Sequence, residues 1–265
     1  MKETTSKGPI YVPKLSLSSI DDVLRYILES SHLNTLITAF NYQFNDPKLF
    51  LNALTHTSAV HEFAGIDLKS NEKLEFLGDA VLDTLVTSII WRKYPELSEG
   101  DLSKLRGALV NKNSLANLSR LLNLGQCLIL GKGEIHSRGF EKDGILADAF
   151  EALIGAIFLD SGFSQTQQAF QSLLDFYEKK TGEEFIHIDK LHGFDSKSQL
   201  QELTMQLFKE FPIYKASKEE NELFKIEIFL KEISLAQIVS KSKKEGEHKL
   251  AEKVLKEKLW ESKLC

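Results

Sequence analysis

Apolar residues recur every three or four positions through most of the first 180 residues, the spacing that gives a helix one buried stripe. Ile20, Val23, Leu24, Ile27 and Leu28 open the pattern, with Ser19 placed to cap it and Asp21 and Asp22 in the first turn. Helical periodicity is then predicted over 36–40, 46–58, 71–92, 101–122, 144–159 and 164–180, and nothing between 20 and 180 alternates as a strand does. After a mixed segment from Thr181 to Ser196 the pattern changes. Ser198 to Phe208 reads as a helix, Ile213 to Lys215, Leu223 to Leu230 and Ile233 to Val239 as short strands, and Lys243 to Leu259 as a last helix. In the second strand Phe224, Ile226, Ile228 and Leu230 alternate with Lys225, Glu227 and the apolar exception Phe229. The expected fold is an all-α domain followed by a small α+β domain of order α-β-β-β-α. Its expected divisions are an arm and extra helix at 1–30, a helical domain at 31–181, a linker at 182–195 and the α+β domain at 196–262.

Composition fits that picture. Of the 265 residues, 42% are hydrophobic and 27% charged, enough apolar material for real cores. No apolar run approaches the roughly 20 residues of a bilayer span, and the opening MKETTSKGPIYVPK has no apolar signal segment. Cys127 and Cys265 make no disulfide framework and no zinc spacing. A cytoplasmic protein is expected. The net charge of -5 is divided unevenly, with 14 Lys against 13 acids from Leu191 onward and 19 Lys+Arg against 25 acids before it. Two bodies with different work are implied.

The informative chemistry lies in two acidic stretches. On a helix, Glu72, Glu75 and Asp79 fall on one face at i, i+3 and i+7, where like charges repel. Glu72 and Glu75 could merely complement a helix N-terminus, but Asp79 lies two turns in. Gly78 in mid-helix costs about 1 kcal/mol relative to Ala, so it is expected to admit another backbone. The second stretch, 145–159, is strongly apolar yet carries Asp148 and Glu151 at i and i+3. Buried carboxylates need partners, and Lys73 is the one cation within either stretch. A shared divalent ion is the natural answer. Oxygen donors favour Mg²⁺ or Mn²⁺ over zinc, and phosphodiester hydrolysis is the chemistry that suits them.

Residues 72–80, Glu-Lys-Leu-Glu-Phe-Leu-Gly-Asp-Ala, resemble the signature of the ribonuclease III family. Ala53 to Ser58, Glu99 to Ser103 and Ala147 to Leu159 resemble its other blocks in the same order, and the C-terminal part resembles the double-stranded-RNA-binding domain of its bacterial members. The resemblance covers about residues 33–260. It implies an all-helical, Mg²⁺-dependent endoribonuclease, active as a homodimer on double-stranded RNA, with Mn²⁺ able to substitute. It implies 5′-phosphate and 3′-hydroxyl products with short 3′ overhangs, and processing of rRNA, mRNA and other structured precursors. Carried over by motif, Asp79 and Glu151 are the catalytic pair, and Glu75, Asp148 and Glu151 hold metal. Glu72 and Glu99 match accessory acids, and Phe76 matches a residue that reaches into the partner subunit, although an ordinary core aromatic would read the same. The rival reading is a protein of this fold that binds double-stranded RNA without cutting it; a ribosome-associated structural protein is a third.

In the C-terminal domain Lys241, Lys243 and Lys244 cluster at a helix N-terminus that Ser242 and Glu245 would box, a setting that favours phosphate. With Gln201 on the preceding helix, the resemblance makes them RNA contacts. Two departures stand out. The stretch Lys215 to Glu222, read as the loop between the first two strands, lacks the family's Gly-Pro-x-His block and carries three glutamates. Gly246 replaces the usual Ala and is expected to weaken the last helix. Elsewhere, Gly131-Lys132-Gly133 reads as a turn between helices, His56 as structural, Asp83 as a solvated extension of the acidic stripe, and Cys127 as a core residue.

Overall fold

The computed structural model describes residues 19–29, 31–63, 65–194, 196–219 and 223–264, without the side chains of 26–28, 31, 192–194, 244, 245 and 264. The N-terminal arm, Glu220, Cys265 and the side chains of Lys244 and Glu245 therefore lie outside the described residues, and the Ser242–Glu245 box with them. The chain divides into two compact units, the first up to His187 and the second from Ile188.

In the first unit the helices run α1 (Ile20–Leu28), α2 (Asn34–Phe40), α3 (Pro47–Leu54), α4 (Thr57–Glu62), α5 (Glu72–Lys93), α6 (Glu99–Val110), α7 (Lys112–Leu121), α8 (Lys132–His136) and α9 (Asp143–Thr181). Ser19 caps α1 as its sequence suggests, its Oγ accepting the Asp22 N–H at 3.2 Å while Asp22 Oδ2 accepts the Ser19 N–H. Two of the predicted periodic stretches are broken by side-chain capping. The stretch 46–58 splits at Thr55, which bridges to Ile129, and His56 Nδ1 then caps α4 by accepting the Ser58 N–H at 3.2 Å. The stretch 101–122 splits at Asn111, whose Oδ1 accepts the Ser114 N–H at 3.0 Å. Gly162, at φ 78° and ψ 177°, kinks α9 in a conformation open only to glycine. Gly131 opens the short helix α8, which contains Lys132 and Gly133, rather than a bare turn.

Helix α9 is the axis of the unit, with α5, α7, α3 and α2 packed on it. Asp160 pins the turn before α3 to it, accepting from Tyr42 Oη at 2.5 Å and from the Asn45 and Asp46 N–H groups, each at 2.8 Å. Cys127 is a buried core residue whose thiol burial pushes up to about 12.

The second unit holds α10 (Asp189–Phe194), α11 (Ser196–Phe208), β1 (Ile213–Lys218), β2 (Phe224–Leu230), β3 (Ile233–Ser240), α12 (Lys243–Glu257) and α13 (Leu259–Leu264). The sheet is antiparallel in order β1-β2-β3. Ile226, Ile228 and Leu230 alternate inward, as their pattern predicts, onto Leu200, Leu250, Ala251 and Val254 of α11 and α12. Lys197 of α11 is tied to Glu247 of α12 at 2.7 Å.

One expectation needs correction here. The stretch 215–222 is not all loop: Lys215 to Lys218 complete β1, pairing with Glu227 back to Phe224. Their polar side chains hid the strand because β1 is an edge with an exposed face. Gly246 packs α12 closely on the sheet: a Cβ there would meet the Cδ1 end of Ile226 and come within 3.0 Å of Ser240 Cβ.

Candidate active site

The site is made where α5 crosses α9, and two glycines set that crossing. A Cβ on Gly78 would overlap the Glu151 carbonyl oxygen and lie 2.9 Å from Gly155 N. A Cβ on Gly155 would overlap the Leu74 carbonyl and lie 3.0 Å from Gly78 N. The two backbones therefore touch, as the mid-helix Gly78 predicts. Acids on either side of the crossing are drawn together by the same contact. Glu75, Asp148 and Glu151 each offer a carboxylate oxygen, all within 4.8 Å of one another.

These groups are less buried than the apolar helices around them imply. Glu75, Asp148 and Glu151 are half-buried and Asp79 is exposed, because Leu74, Gly78, Val81 and Leu82 fill the inward face of α5 and the acids stand at its rim. Their charges still interact strongly. Burial first, then the negative charges of Asp79, Asp148 and Glu75, pushes the Glu151 carboxyl from about 4.5 up to about 8. Burial and then Asp148, Glu72 and Asp79 raise Glu75; burial raises Asp148. The cluster holds more negative charge than its own side chains balance. An all-oxygen donor set of this charge suits a hard divalent cation, which would neutralise it directly.

The remaining sequence candidates fall in different places. Glu72 is exposed in the first turn of α5, accepting from Ser70 Oγ at 2.8 Å, and its charge reaches Glu75 and His56. Glu99 opens α6, accepting from Ser103 Oγ at 3.0 Å, and is not one of the three clustered acids. His56 is structural: it caps α4, and burial holds its imidazole below the usual range against the pull of Glu134, Asp148 and Glu72. Lys112, on α7, was missed. Its positive charge lowers Glu75, Asp148 and Glu151 alike, and no local pattern links it to acids on α5 and α9.

Phe76 is 82% exposed, which rejects the ordinary core aromatic. Further along α5, Val81, Leu82, Leu85, Val86 and Ile90 are buried in the core, while Trp91 is 66% exposed.

Comparison with known proteins decides the class. The Ribonuclease-III-like family model matches residues 46–175. Ribonuclease 3 of Syntrophobacter fumaroxidans is 39% identical over 230 residues, covering 85% of this chain and 94% of the relative. This chain belongs to the ribonuclease III family. Ribonuclease 3 of Borreliella burgdorferi is likewise 39% identical over 232 residues, covering 85% of this chain and 91% of that one. The crystal structure of the nuclease domain of ribonuclease III from Campylobacter jejuni is 40% identical, with a TM-score of 0.50, over 58% of this chain and 99% of that domain. As a ribonuclease III the chain is an endoribonuclease, an all-α nuclease domain followed by a double-stranded-RNA-binding fold, and the acid cluster of α5 and α9 lies within the matched nuclease region.

On that RNA-binding fold, Gln201 lines a shallow surface groove of about 490 Å³ with Glu202, Met205, Gln206, Lys209 and Phe211. Lys241 and Lys243 are exposed at the start of α12, and Glu219 is exposed just past β1. Among the described residues no helix is long and apolar enough to cross a membrane.

Proposed function

We propose that this ribonuclease III hydrolyses phosphodiester bonds of double-stranded RNA with Mg²⁺ held by Glu75, Asp148 and Glu151, and with Asp79 and Glu151 closest to the reaction. The observation that carries this is the convergence of three carboxylate oxygens within 4.8 Å on two helices whose backbones touch. When bound, the cation supplies Lewis acidity and a strong nucleophile from water. Glu75, Asp148 and Glu151 orient it; Asp79, exposed beside them, is placed to accept or return a proton at its carboxylate. Glu72 and Glu99 are accessory acids that shape the approach. Products with 5′-phosphate and 3′-hydroxyl ends and short 3′ overhangs, from rRNA, mRNA and other structured precursors in the cytoplasm, complete the reading. The nuclease domain would span 31–181 and the RNA-binding domain 196–262, joined by 182–195. The rival, a binder that does not cut, leaves the convergent acids without a use. Long double-stranded RNA incubated with the protein should be cut with Mg²⁺ or Mn²⁺ and left whole with chelator, while Ca²⁺ should serve poorly. Cleavage in excess chelator would overturn the metal reading.

One chain offers one cluster, whereas cutting both strands of a duplex needs two related by a two-fold axis. We propose a homodimer whose interface includes Phe76, supported by that side chain's exposure one residue from Glu75. Phe76→Asp should convert a dimer to a monomer at micromolar concentration in sedimentation velocity. A parent chain that sediments as a monomer with or without RNA counts against the dimer.

RNA affinity would rest on Gln201, Lys241, Lys243 and Lys244, which suit a fold that reads A-form shape and phosphates. Lys241→Ala/Lys243→Ala should weaken binding to all duplexes evenly. The log-log salt slope should fall by somewhat under one unit per lost contact. Neutralising Glu219 and Glu220 should tighten binding most at low salt. Binding isotherms across salt concentrations check both, and an unchanged slope removes the lysines from the interface.

A further inference from the structure

Lys112 has no part in the function proposed so far, yet its position is built. It is the first residue of α7, directly after Asn111, whose side chain accepts the Ser114 N–H at 3.0 Å and donates to the Ala108 carbonyl at 2.7 Å. The backbone beneath the lysine is therefore fixed between α6 and α7. Its side chain crosses to α9, where Nζ lies 3.5 Å from the point a Cβ would occupy on Gly144. Gly144 precedes Asp148 by four residues and Glu151 by seven, so all three share one face of α9. The ammonium thus stands at the end of the carboxylate row. Lys112 is exposed, and among the described residues none of the ion pairs involves it. It faces the cluster with donors still available.

The charge balance gives that position a use. Glu75, Asp79, Asp148 and Glu151 would carry four negative charges when ionised, of which one divalent ion offsets two. A phosphodiester brings another negative charge into this field. A cation at the rim, reachable from solvent, relieves the repulsion at the point where the backbone of RNA must enter. We propose that Lys112 holds a non-bridging oxygen of the RNA phosphate brought to the cluster, as a substrate-positioning cation. The inference rests on the acid site proposed above.

The same charge acts in opposite directions on the two visitors. It attracts phosphate and repels a divalent cation, so its removal should weaken the first and not the second. A lysine that served only to support the fold would lower both or neither. In the full-length chain, Lys112→Gln should lower kcat/KM on double-stranded RNA roughly tenfold to a hundredfold, as loss of an electrostatic substrate contact does. Mn²⁺ titrated alone and followed by electron paramagnetic resonance should bind Lys112→Gln as tightly as the parent or severalfold tighter. In a Glu151→Gln background, which separates binding from turnover, Lys112→Gln should reduce the salt slope of RNA binding by somewhat under one unit. Lys112→Arg, which keeps a phosphate-binding charge, should retain most of the activity. Unchanged kcat/KM and slope in Lys112→Gln would overturn the proposal. So would weakened Mn²⁺ binding, or an Arg variant that loses as much as the Gln variant. Failure of the acid site reads differently: the parent would not bind Mn²⁺, or Glu151→Gln alone would turn over normally.

Discussion

Glu151→Gln should abolish cleavage and, in the presence of chelator at alkaline pH, make the protein more stable than its parent. The first effect follows from the proposed role: the variant keeps the volume of the side chain but loses the charge shared with Glu75 and Asp148. Cleavage should fall roughly a thousandfold or more, the scale of losing a central electrostatic element. RNA binding should survive, since it rests on phosphate and shape contacts. The second effect follows from the carboxyl's displacement from about 4.5 to about 8 by burial and then by Asp79, Asp148 and Glu75. Between those values the folded chain retains a proton that the unfolded chain has released. Stability therefore falls as pH rises through that window, and is fully lost for this group above the folded value. Gln cannot titrate, so the variant's melting temperature should fall less steeply from about pH 5 to pH 8 or 9. Glu75 and Asp148, also raised, keep part of the slope in both proteins. Mg²⁺ should raise the parent's melting temperature at pH 8 and leave the variant nearly unmoved. Parallel melting curves against pH in chelator, or normal turnover by the variant, would remove Glu151 from the centre of the cluster.

What could be read from the sequence depended on how local each feature is. The inward alternation of Ile226, Ile228 and Leu230 and the Ser19 cap are set by neighbours in the chain, and they were legible. The acidic face of Glu72, Glu75 and Asp79 and the close approach at Gly78 were legible for the same reason, since helical geometry alone implies them. The break at Asn111 was not, because an Asn inside an apolar period looks like a solvent position until its side chain is seen to cap. Ala216 to Lys218 read as loop because an edge strand with one exposed face has no apolar alternation to display. The acids' exposure was misjudged from their apolar neighbours. On a helix, residues beside a buried stripe can stand at its rim, and which of them do so depends on the partner helix. Lys112 was invisible because the link between α7 and α9 exists only once both have folded. Asp160 is of the same kind, a lone acid whose partners Tyr42, Asn45 and Asp46 lie more than a hundred residues earlier.

Gly78→Ala should damage both stability and catalysis, against the helix propensity of the residues exchanged. On a solvent-facing helix this substitution gains about 1 kcal/mol. Here the new methyl would overlap the carbonyl oxygen of Glu151, a backbone atom that cannot rotate aside. Relief requires α5 and α9 to part along a seam where Leu74, Val81, Phe150 and Ile154 are buried. Overpacking of a well-filled core costs roughly 1–3 kcal/mol and occasionally more; a methyl driven into a backbone carbonyl that cannot move aside belongs at about 3 kcal/mol or beyond. For a chain of this size the melting temperature should fall by roughly 6–12 °C. The residue that is pushed carries one of the three converging carboxylates, so the separation of Glu151 from Glu75 would grow with the separation of the helices. A displacement near 1 Å at a reacting centre can cost about a hundredfold, and cleavage at a temperature where the variant is folded should fall on that scale. Mn²⁺ affinity should fall with it, unlike in Lys112→Gln. Gly133→Ala is the matched control, because a Cβ at Gly133 in α8 meets nothing within 4 Å. That variant should melt within about 2 °C of the parent, or slightly above it, and cut normally. If Gly78→Ala matches the Gly133→Ala control in melting temperature, Mn²⁺ affinity and turnover, then the helix crossing does not hold the acids together, and the geometric basis of the site is wrong.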